Sequence, residues 1–138
     1  MHPMVERFKQ TYGRLNAQSL ELLNDLYGDD VEFQDPFHRI RGLPALRRYF
    51  SELYAGVESC SFEFQEEIMH GNHAALLWTM RMIHPRLNGG APVIVPGSTV
   101  IRFRDRVTYH RDYFDAGAML YEQLPLIGTI VRMIKRRV

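Results

Sequence analysis

The sequence predicts an α+β fold in which helices come first and an antiparallel sheet follows. Apolar residues recur at helical spacing up to Val57, and from Cys60 onward they alternate with polar residues, as in half-buried strands. The strand-like segments are consecutive and are separated by turn residues, which predicts a meander and not alternating βα units. A strongly bent sheet capped by helices encloses a cavity, so this fold class also predicts a pocket.

Three helices are predicted in the first half of the chain. Apolar residues recur at helical spacing over Val5–Leu15, behind Pro3, which suits a first helical turn. Ser19 is a candidate N-cap of a second helix, which ends at Gly28. The third helix, Pro44–Val57, begins at a proline and carries an apolar stripe.

The sheet consists of one short strand and a later four-stranded meander. Gly71-Asn72 is a candidate hairpin turn, and Asn88-Gly89-Gly90 breaks the chain before the next strand. Strict alternation places Phe64, Glu66 and Ile68 on one face of the first long strand. The predicted strands are residues 31–34, 60–69, 73–84, 93–103 and 107–114.

Length and composition indicate one domain, residues 1–138, with residues 116–138 as an amphipathic helical extension bent at Pro125. A nucleic-acid-binding protein usually carries a broad basic face, and none is present in this chain of net charge +1. No apolar run approaches the roughly 20 residues of a membrane span. The single cysteine, Cys60, excludes an intrachain disulfide, and no secretion signal is recognisable, so we expect a cytoplasmic protein.

Cofactor and metal sites are not expected. The six histidines show no metal-binding spacing such as HxxxH or HExxH. No glycine-rich phosphate loop is present, because Asn88-Gly89-Gly90 is better explained as a turn.

The order of elements and three motifs resemble the nuclear-transport-factor-2-like superfamily, and most closely its branch of SnoaL-like polyketide cyclases and ketosteroid isomerases. The similarity runs from about Met4 to Leu124, and its motifs are LYGDDVEFQDP at residues 26–36, Arg41-Gly42, and YHRDYFD at residues 109–115. The resemblance implies a cone-shaped domain, with helices packed on a curved sheet around the pocket. The same fold serves isomerases, cyclases, hydrolases and binding proteins without catalytic activity, so it does not define a reaction.

Asp35 is the first catalytic candidate. In the isomerase branch the aspartate that matches Asp35 is implied to be the general base, and a carboxylate in an apolar pocket can move a proton. The alternative is an Asp-Pro turn residue that accepts local backbone hydrogen bonds. His38, three residues later, is a candidate second proton carrier or an ordinary loop residue.

The last strand supplies a second pair of candidates. Alternation puts His110, Asp112 and Phe114 on one face, so Asp112 can orient the imidazole of His110 inside the pocket. The resemblance to SnoaL-like cyclases implies an acid/base carboxylate late in the sheet. The alternative is a surface ladder of cross-strand ion pairs with nearby arginines.

A larger group of residues is predicted to line the pocket. One face of the 73–84 strand carries an aromatic ring and two methionines, which suit either an adaptable ligand wall or an ordinary core. The ligand-binding candidates are Tyr12, Phe50, Tyr54, Trp78, Met80, Met82, His84 and Thr99.

Two departures from the family pattern disfavour steroid isomerisation. Ketosteroid isomerases hold the developing oxyanion with a tyrosine on the first helix and a protonated aspartic acid on a strand. Superposition on Asp35 places Thr11 at the tyrosine position, one residue before Tyr12, and the aspartic acid position falls near Thr99.

Limonene-epoxide-hydrolase chemistry expects an arginine two residues from a strand aspartate, and Arg81 and the acidic residues of the last strand do not clearly reproduce that spacing.

The C-terminal extension combines an apolar helical stripe with a cluster of cations near its end. It packs over the pocket mouth or against another subunit, or it makes a weak contact with an anionic membrane surface. The cations are Arg132, Lys135, Arg136 and Arg137.

Two functions from different classes follow from these residues. The first is a cofactor-independent isomerase, cyclase or hydrolase that transfers a proton on a small apolar or lipid-like molecule. The second is a module without chemistry, which binds an apolar ligand or forms a homodimer through its sheet.

Overall fold

The computed structural model describes residues 2–120, 122, 124 and 127–138. The helices are α1 (Pro3–Arg14), α2 (Leu23–Leu26), α3 (Leu43–Ala55), α4 (Ala116–Met119) and α5 (Ile127–Arg137). The strands are β1 (Tyr27–Gln34), β2 (Arg39–Arg41), β3 (Ser59–His70), β4 (His73–Ile83), β5 (Val93–Phe103) and β6 (Val107–Phe114). Within these described residues no helix is both long and apolar enough to cross a membrane.

The strands form one curved sheet in the order β2-β1-β6-β5-β4-β3. β1 runs parallel to β6, and every other neighbouring pair is antiparallel. The predicted meander is β3 to β6, and its first turn occurs at Gly71, where φ is +57°, a value that favours glycine. The α+β class and the mostly antiparallel sheet are confirmed.

The second helix is shorter than the sequence predicted. Only Leu23–Leu26 is α-helical, behind a 3-10 turn at Leu20–Leu22, and β1 already begins at Tyr27. Tyr27 already pairs with Val107 of β6, and pairing resumes at Glu32 after an irregularity, so the strand runs through Gly28, where the sequence suggested a helix stop. The three-residue strand β2, which pairs with the end of β1, is too short to show alternation and was not predicted.

The predicted C-terminal helix is also different. Residues 116–138 do not form one helix, because α4 ends at Met119 and α5 begins at Ile127. Asp115 starts α4, and its side chain accepts a hydrogen bond from the backbone N–H of Ala118 at 3.1 Å. The predicted bend at Pro125 lies outside the described residues.

A bulge in β3 corrects the predicted face of that strand. Phe64 pairs with Trp78 but Glu66 pairs with Leu77, so Gln65 is an extra residue and the alternation reverses after it. Ile68, predicted to share a face with Phe64, is therefore 62% exposed. Glu67 turns inward instead and accepts a hydrogen bond from Lys9 of α1 at 2.7 Å.

Two groups of apolar side chains fill the space between helices and sheet. The first packs α1, α2 and α3 against β1 and one end of the meander, and it includes the fully buried Leu23, Leu26 and Leu46. The second surrounds Trp78 on β4 and receives Met119 and Leu120 from the C-terminal segment. Burial of such side chains, worth roughly 1.5–3 kcal/mol each, holds the helices on the sheet.

Candidate functional site

A cavity of about 110 Å³ lies between the two groups of core residues. Its wall is formed almost entirely by apolar and aromatic side chains, and it contains two carboxylates, Asp35 and Asp112. The remaining lining residues are Tyr12, Phe33, Phe37, Tyr49, Phe50, Leu53, Tyr54, Val57, Cys60, Phe62, Trp78, Met80, Met82, Phe114 and Met119. An apolar enclosure with few convergent polar groups is the usual form of a small-molecule site.

Asp35 follows the last residue of β1 and is 8% exposed. Its Oδ1 accepts hydrogen bonds from the backbone N–H groups of Phe37 and His38, both at 2.8 Å. Its Oδ2 accepts a short hydrogen bond from the hydroxyl of Tyr49 on α3. Asp35 therefore makes the turn contacts that the Asp-Pro sequence suggested, and it also reaches the cavity.

Asp112 and His110 lie side by side on the inner face of β6. The Nε2 atom of His110 is 2.7 Å from Oδ1 of Asp112, and His110 is 1% exposed. Their cross-strand partners on β5 are Ile101 and Thr99. The predicted hydrogen-bonded pair is present, and the strand face that carries it faces the cavity and core, not the surface.

A chain of buried hydroxyl groups continues from His110 toward α1. The hydroxyl of Tyr27 is 2.7 Å from Nδ1 of His110, and the hydroxyl of Tyr12 is 2.6 Å from that of Tyr27. With His110 neutral and its Nε2–H donated to Asp112, Nδ1 is an acceptor. Tyr27 then donates to His110, and Tyr12 donates to Tyr27.

A second chain reaches Asp112 from β4. The indole N–H of Trp78 donates to Oγ1 of Thr99 at 2.8 Å, and Thr99 donates to Oδ1 of Asp112 at 2.5 Å. Trp78 lies flat over Gly97 of β5, where any Cβ atom would overlap its six-membered ring. Gly97 is therefore required for the position of the indole.

Both chains of donors end on the same carboxylate oxygen of Asp112. The indole N–H can only donate, which orients Thr99 toward Asp112, and the phenols orient His110 in the same direction. The other oxygen, Oδ2, has no hydrogen-bond partner among the described residues, and the side chain is 20% exposed. Asp112 is thus held by one oxygen, and its side chain lines the cavity while the other oxygen is unpaired among the described residues.

Burial keeps the phenols of the site neutral. It raises the pKa of Tyr12 and Tyr27 well above the usual range, and the negative charge of Asp112 adds to the effect. Burial also raises the pKa of Tyr54, with smaller contributions from Cys60 and Asp112. Burial raises the pKa of Tyr49 as well, and its hydrogen bond to Asp35 adds to the shift. These side chains are therefore hydrogen-bond donors at physiological pH.

The hydroxyl of Tyr54 differs from the other three phenols. Tyr12, Tyr27 and Tyr49 each form a hydrogen bond with a protein side chain, whereas Tyr54 has no hydrogen-bond partner among the described residues. It lines the cavity from α3. A neutral phenol without a protein acceptor is available to a ligand.

The structure brings most predicted ligand-binding residues to the cavity wall. Thr99 does not line the cavity itself and acts through its hydrogen bond to Asp112. Two predicted histidines are also placed away from the wall. The side chain of His38 is exposed and packs against the ring of Tyr49, with centroids 5.1 Å apart. His84 accepts a hydrogen bond from the backbone N–H of Arg86 at 3.0 Å.

Tyr12, and not Thr11 at the position matched by superposition, brings a phenol from α1 to the cavity. Thr11 donates to the backbone carbonyl of Arg7 within α1 at 2.8 Å and does not line the cavity, whereas Tyr12 does. Sequence reasoning also missed Tyr27 and Tyr49 as polar members of the site. Their apolar neighbours assigned them to the core, and only the rule that a buried hydroxyl needs a partner could have indicated them.

Among the described residues no group of three or more His, Cys, Asp or Glu side chains is arranged to hold a metal ion. Cys60 lines the cavity with a thiol whose pKa burial raises to about 12, so it is neither a thiolate nucleophile nor a thiolate ligand at neutral pH.

The chain is similar to known proteins in both sequence pattern and fold. The family model described as the SnoaL-like domain matches residues 6–110. A comparison with the curated proteins finds no similar sequence.

Three solved structures illustrate the similarity in fold. A protein with a ketosteroid-isomerase-like fold from Catenulispora acidiphila, in complex with trimethylamine, is 18% identical over 89% of this chain and 94% of its own, with a TM-score of 0.75. A proposed SnoaL-like polyketide cyclase from a Jannaschia species is 14% identical over 87% and 93%, with a TM-score of 0.75. An LEH-like epoxide hydrolase from M. tuberculosis is 22% identical over 96% and 93%, with a TM-score of 0.69.

Proposed function

The chain belongs to the SnoaL-like domain family, and from this premise we propose that it is an acid–base enzyme acting on a small apolar molecule. The reaction is proton transfer at a carbon next to a carbonyl group, and the chain's own side chains act as acid and base. The observation that carries the proposal is the free Oδ2 of Asp112, held at the wall of an apolar cavity.

Asp112 is the proposed base. Its Oδ2 takes a proton from a substrate carbon, and the C–H electron pair delocalises onto the carbonyl oxygen as an enolate. Return of the proton to a different carbon completes an isomerisation with no net change in atoms or electrons. Thr99 and His110 fix the other oxygen, so the base is already oriented before substrate binds.

Tyr54 is the proposed donor to the developing oxyanion. Its hydroxyl is neutral and lacks a protein acceptor among the described residues, which are the properties needed to stabilise negative charge on a carbonyl oxygen. Asp35 has a different proposed role. Three hydrogen bonds occupy its carboxylate, so it fixes the turn after β1 and the position of Tyr49.

Related structures support chemistry at such a site without defining it. The epoxide hydrolase and the proposed polyketide cyclase show that this fold accommodates reactions on small organic molecules. The cavity of about 110 Å³ suits a ligand with a single ring or a short chain, since an engineered protein cavity of about 150 Å³ binds benzene.

The test is proton exchange on small ketones. Purified protein is incubated in D₂O with cyclohexanone, 2-cyclohexenone and 3-cyclohexenone, and loss of the α-proton signals is followed by NMR. We expect the Asp112→Asn variant to exchange about 10²–10⁴-fold more slowly than wild type. Tyr54→Phe should lose about 10²–10³-fold, as for other oxyanion donors.

Asp35→Asn is the matched control, because it makes the same chemical change in the other carboxylate of the cavity. We expect it to retain exchange within tenfold of wild type. A larger loss in Asp35→Asn than in Asp112→Asn would assign the base to Asp35. The proposed reaction would be refuted if, for all three ketones, the wild-type protein exchanged protons no faster than the Asp112→Asn variant.

The second candidate function is binding of an apolar ligand without chemistry. The observation in its favour is the lining, in which aromatic and aliphatic groups far outnumber free polar atoms. Organic extraction of the purified protein followed by mass spectrometry tests it. A stoichiometric apolar compound recovered equally from wild type and Asp112→Asn, without proton exchange, would favour binding.

A further inference from the structure

Helix α5 carries an apolar face that no described residue covers. Its 11 residues span Ile127–Arg137, and Gly128 is its only buried residue. Ile127, Ile130 and Ile134 recur at i, i+3 and i+7 and therefore lie on one face. Their exposed fractions are 50%, 50% and 59%, and Met133 beside them is 44% exposed.

A different face of α5 attaches the helix to the rest of the protein. Lys135 bridges Asp115 at 2.8 Å and Glu122 at 3.2 Å, and Arg132 donates to the backbone carbonyl of Glu122. Val131 lies beside Gly117 of α4. These contacts hold the helix on its polar side and leave the isoleucines pointing away.

The free charges of α5 all have one sign. Arg136 and Arg137 have no hydrogen bond or ion pair among the described residues, and residues 127–138 contain no acidic side chain. The helix dipole accounts for cations near a C-terminus, but it does not account for exposed isoleucines on the same helix. An apolar face flanked by unpaired cations is complementary to a partner that is both apolar and anionic.

We propose that α5 docks the protein on an anionic membrane surface, with the isoleucine face in the interfacial region and Arg136 and Arg137 at the lipid headgroups. This is the arrangement of an interfacial amphipathic helix, and 11 residues are too few to span a bilayer. Charge complementarity favours this partner over a second copy. A second α5 offers the unpaired Arg136 and Arg137 no acidic residue, because residues 127–138 contain none.

The position of α5 relates the docking face to the cavity. Asp115, the partner of Lys135, follows β6 and starts α4, whose Met119 lines the cavity. A membrane on the isoleucine face of α5 would therefore lie about one helix diameter from that wall of the cavity. Apolar molecules dissolved in the bilayer would be within that distance of the site, whether the protein transforms them or only binds them.

Vesicle co-sedimentation of the full chain tests the proposal. The probes are phosphatidylcholine vesicles and vesicles with 30% phosphatidylserine, each at low and high salt. We expect binding to the anionic vesicles, weakening with salt, and little binding to neutral ones. Arg136→Gln with Arg137→Gln should lower the partition coefficient roughly 30-fold, at about 1 kcal/mol per cation near the surface.

Two matched controls separate docking from general charge and hydrophobicity. Arg47→Gln with Arg48→Gln removes two adjacent exposed arginines from α3, and it should leave binding unchanged. Ile134→Ser should weaken binding about tenfold, whereas Ile68→Ser, at a similarly exposed isoleucine of β3, should not. Circular dichroism of each variant confirms that the fold is retained.

Several results would overturn the proposal. Equal sedimentation with neutral and anionic vesicles would show that the negative charge of the lipids does not contribute to binding. Equal losses in the α3 and α5 arginine pairs would show that only net charge matters. A lipid-free dimer in light scattering that dissociates on Ile134→Ser would assign the apolar face to a second copy.

Discussion

Asp35 follows β1 and Asp112 lies on β6, and the two carboxylates meet the same cavity with different partners. Asp35 accepts two backbone N–H groups on one oxygen and the hydroxyl of Tyr49 on the other. Asp112 receives both of its donors on a single oxygen and leaves the second open. Identical side chains in one cavity can thus be suited to different work, because the distribution of donors decides which oxygen is available.

Removal of Asp35 should have the largest effect on stability. Asp35→Ala leaves two backbone N–H groups and the hydroxyl of Tyr49 without their acceptor, so we expect the free energy of unfolding to fall by about 3 kcal/mol. Urea denaturation followed by circular dichroism measures the change. Asp35→Asn keeps an acceptor at Oδ1 and should cost about 1 kcal/mol. Loss of turnover without loss of stability in Asp35→Ala would contradict the structural role of Asp35.

Tyr27 tests the donor chain that reaches Asp112. Tyr27→Phe leaves Nδ1 of His110 and the hydroxyl of Tyr12 buried without a partner, and we expect a loss of about 2 kcal/mol in unfolding free energy. Tyr109→Phe is the control, since the hydroxyl of Tyr109 has no hydrogen bond among the described residues, and it should change stability by less than about 0.5 kcal/mol. Equal effects of the two variants would show that the chain does not hold His110.

How far the sequence predicts this site depends on the range of each interaction. Alternation along one strand is a local property, so the common face of His110 and Asp112 follows from the sequence. The partner of His110 does not, because Tyr27 is 83 residues away and its pairing depends on how β1 meets β6. The bulge at Gln65 limits prediction in another way. One extra residue exchanges the inward and outward faces of the rest of β3, and no local signal in this sequence marks it.

Gly97 tests the second donor chain. Gly97→Ala places a methyl group where the Trp78 ring lies, and overpacking of this kind should cost about 1.5 kcal/mol. Trp78 is the only tryptophan, so its fluorescence reports the displacement directly. In Gly13→Ala, which adds a methyl group in open space on α1, stability should rise by about 0.5–1 kcal/mol. An unchanged emission spectrum in Gly97→Ala would show that Trp78 does not depend on that glycine.

Cys60 tests the part of the cavity wall where no hydrogen bond to the thiol is present among the described residues. With its pKa raised to about 12, the thiol should react with iodoacetamide at pH 8 roughly a thousandfold more slowly than a free cysteine. The rate should rise about tenfold per pH unit, because the thiolate fraction does. The urea-unfolded chain is the control and should react at the free rate. Rapid labelling of the folded protein at pH 8 would mean that water or donors reach this wall.

The parallel pairing of β1 with β6 has a consequence for how the site comes into existence. The meander from β3 to β6 joins neighbours in sequence, whereas the hydrogen bond between Tyr27 and His110 closes a loop of 83 residues. Closure of so long a loop costs conformational entropy that only late, non-local contacts repay. A partly folded chain can therefore contain most of the sheet and still lack an oriented Asp112, so that the proposed acid–base function would require the completed topology.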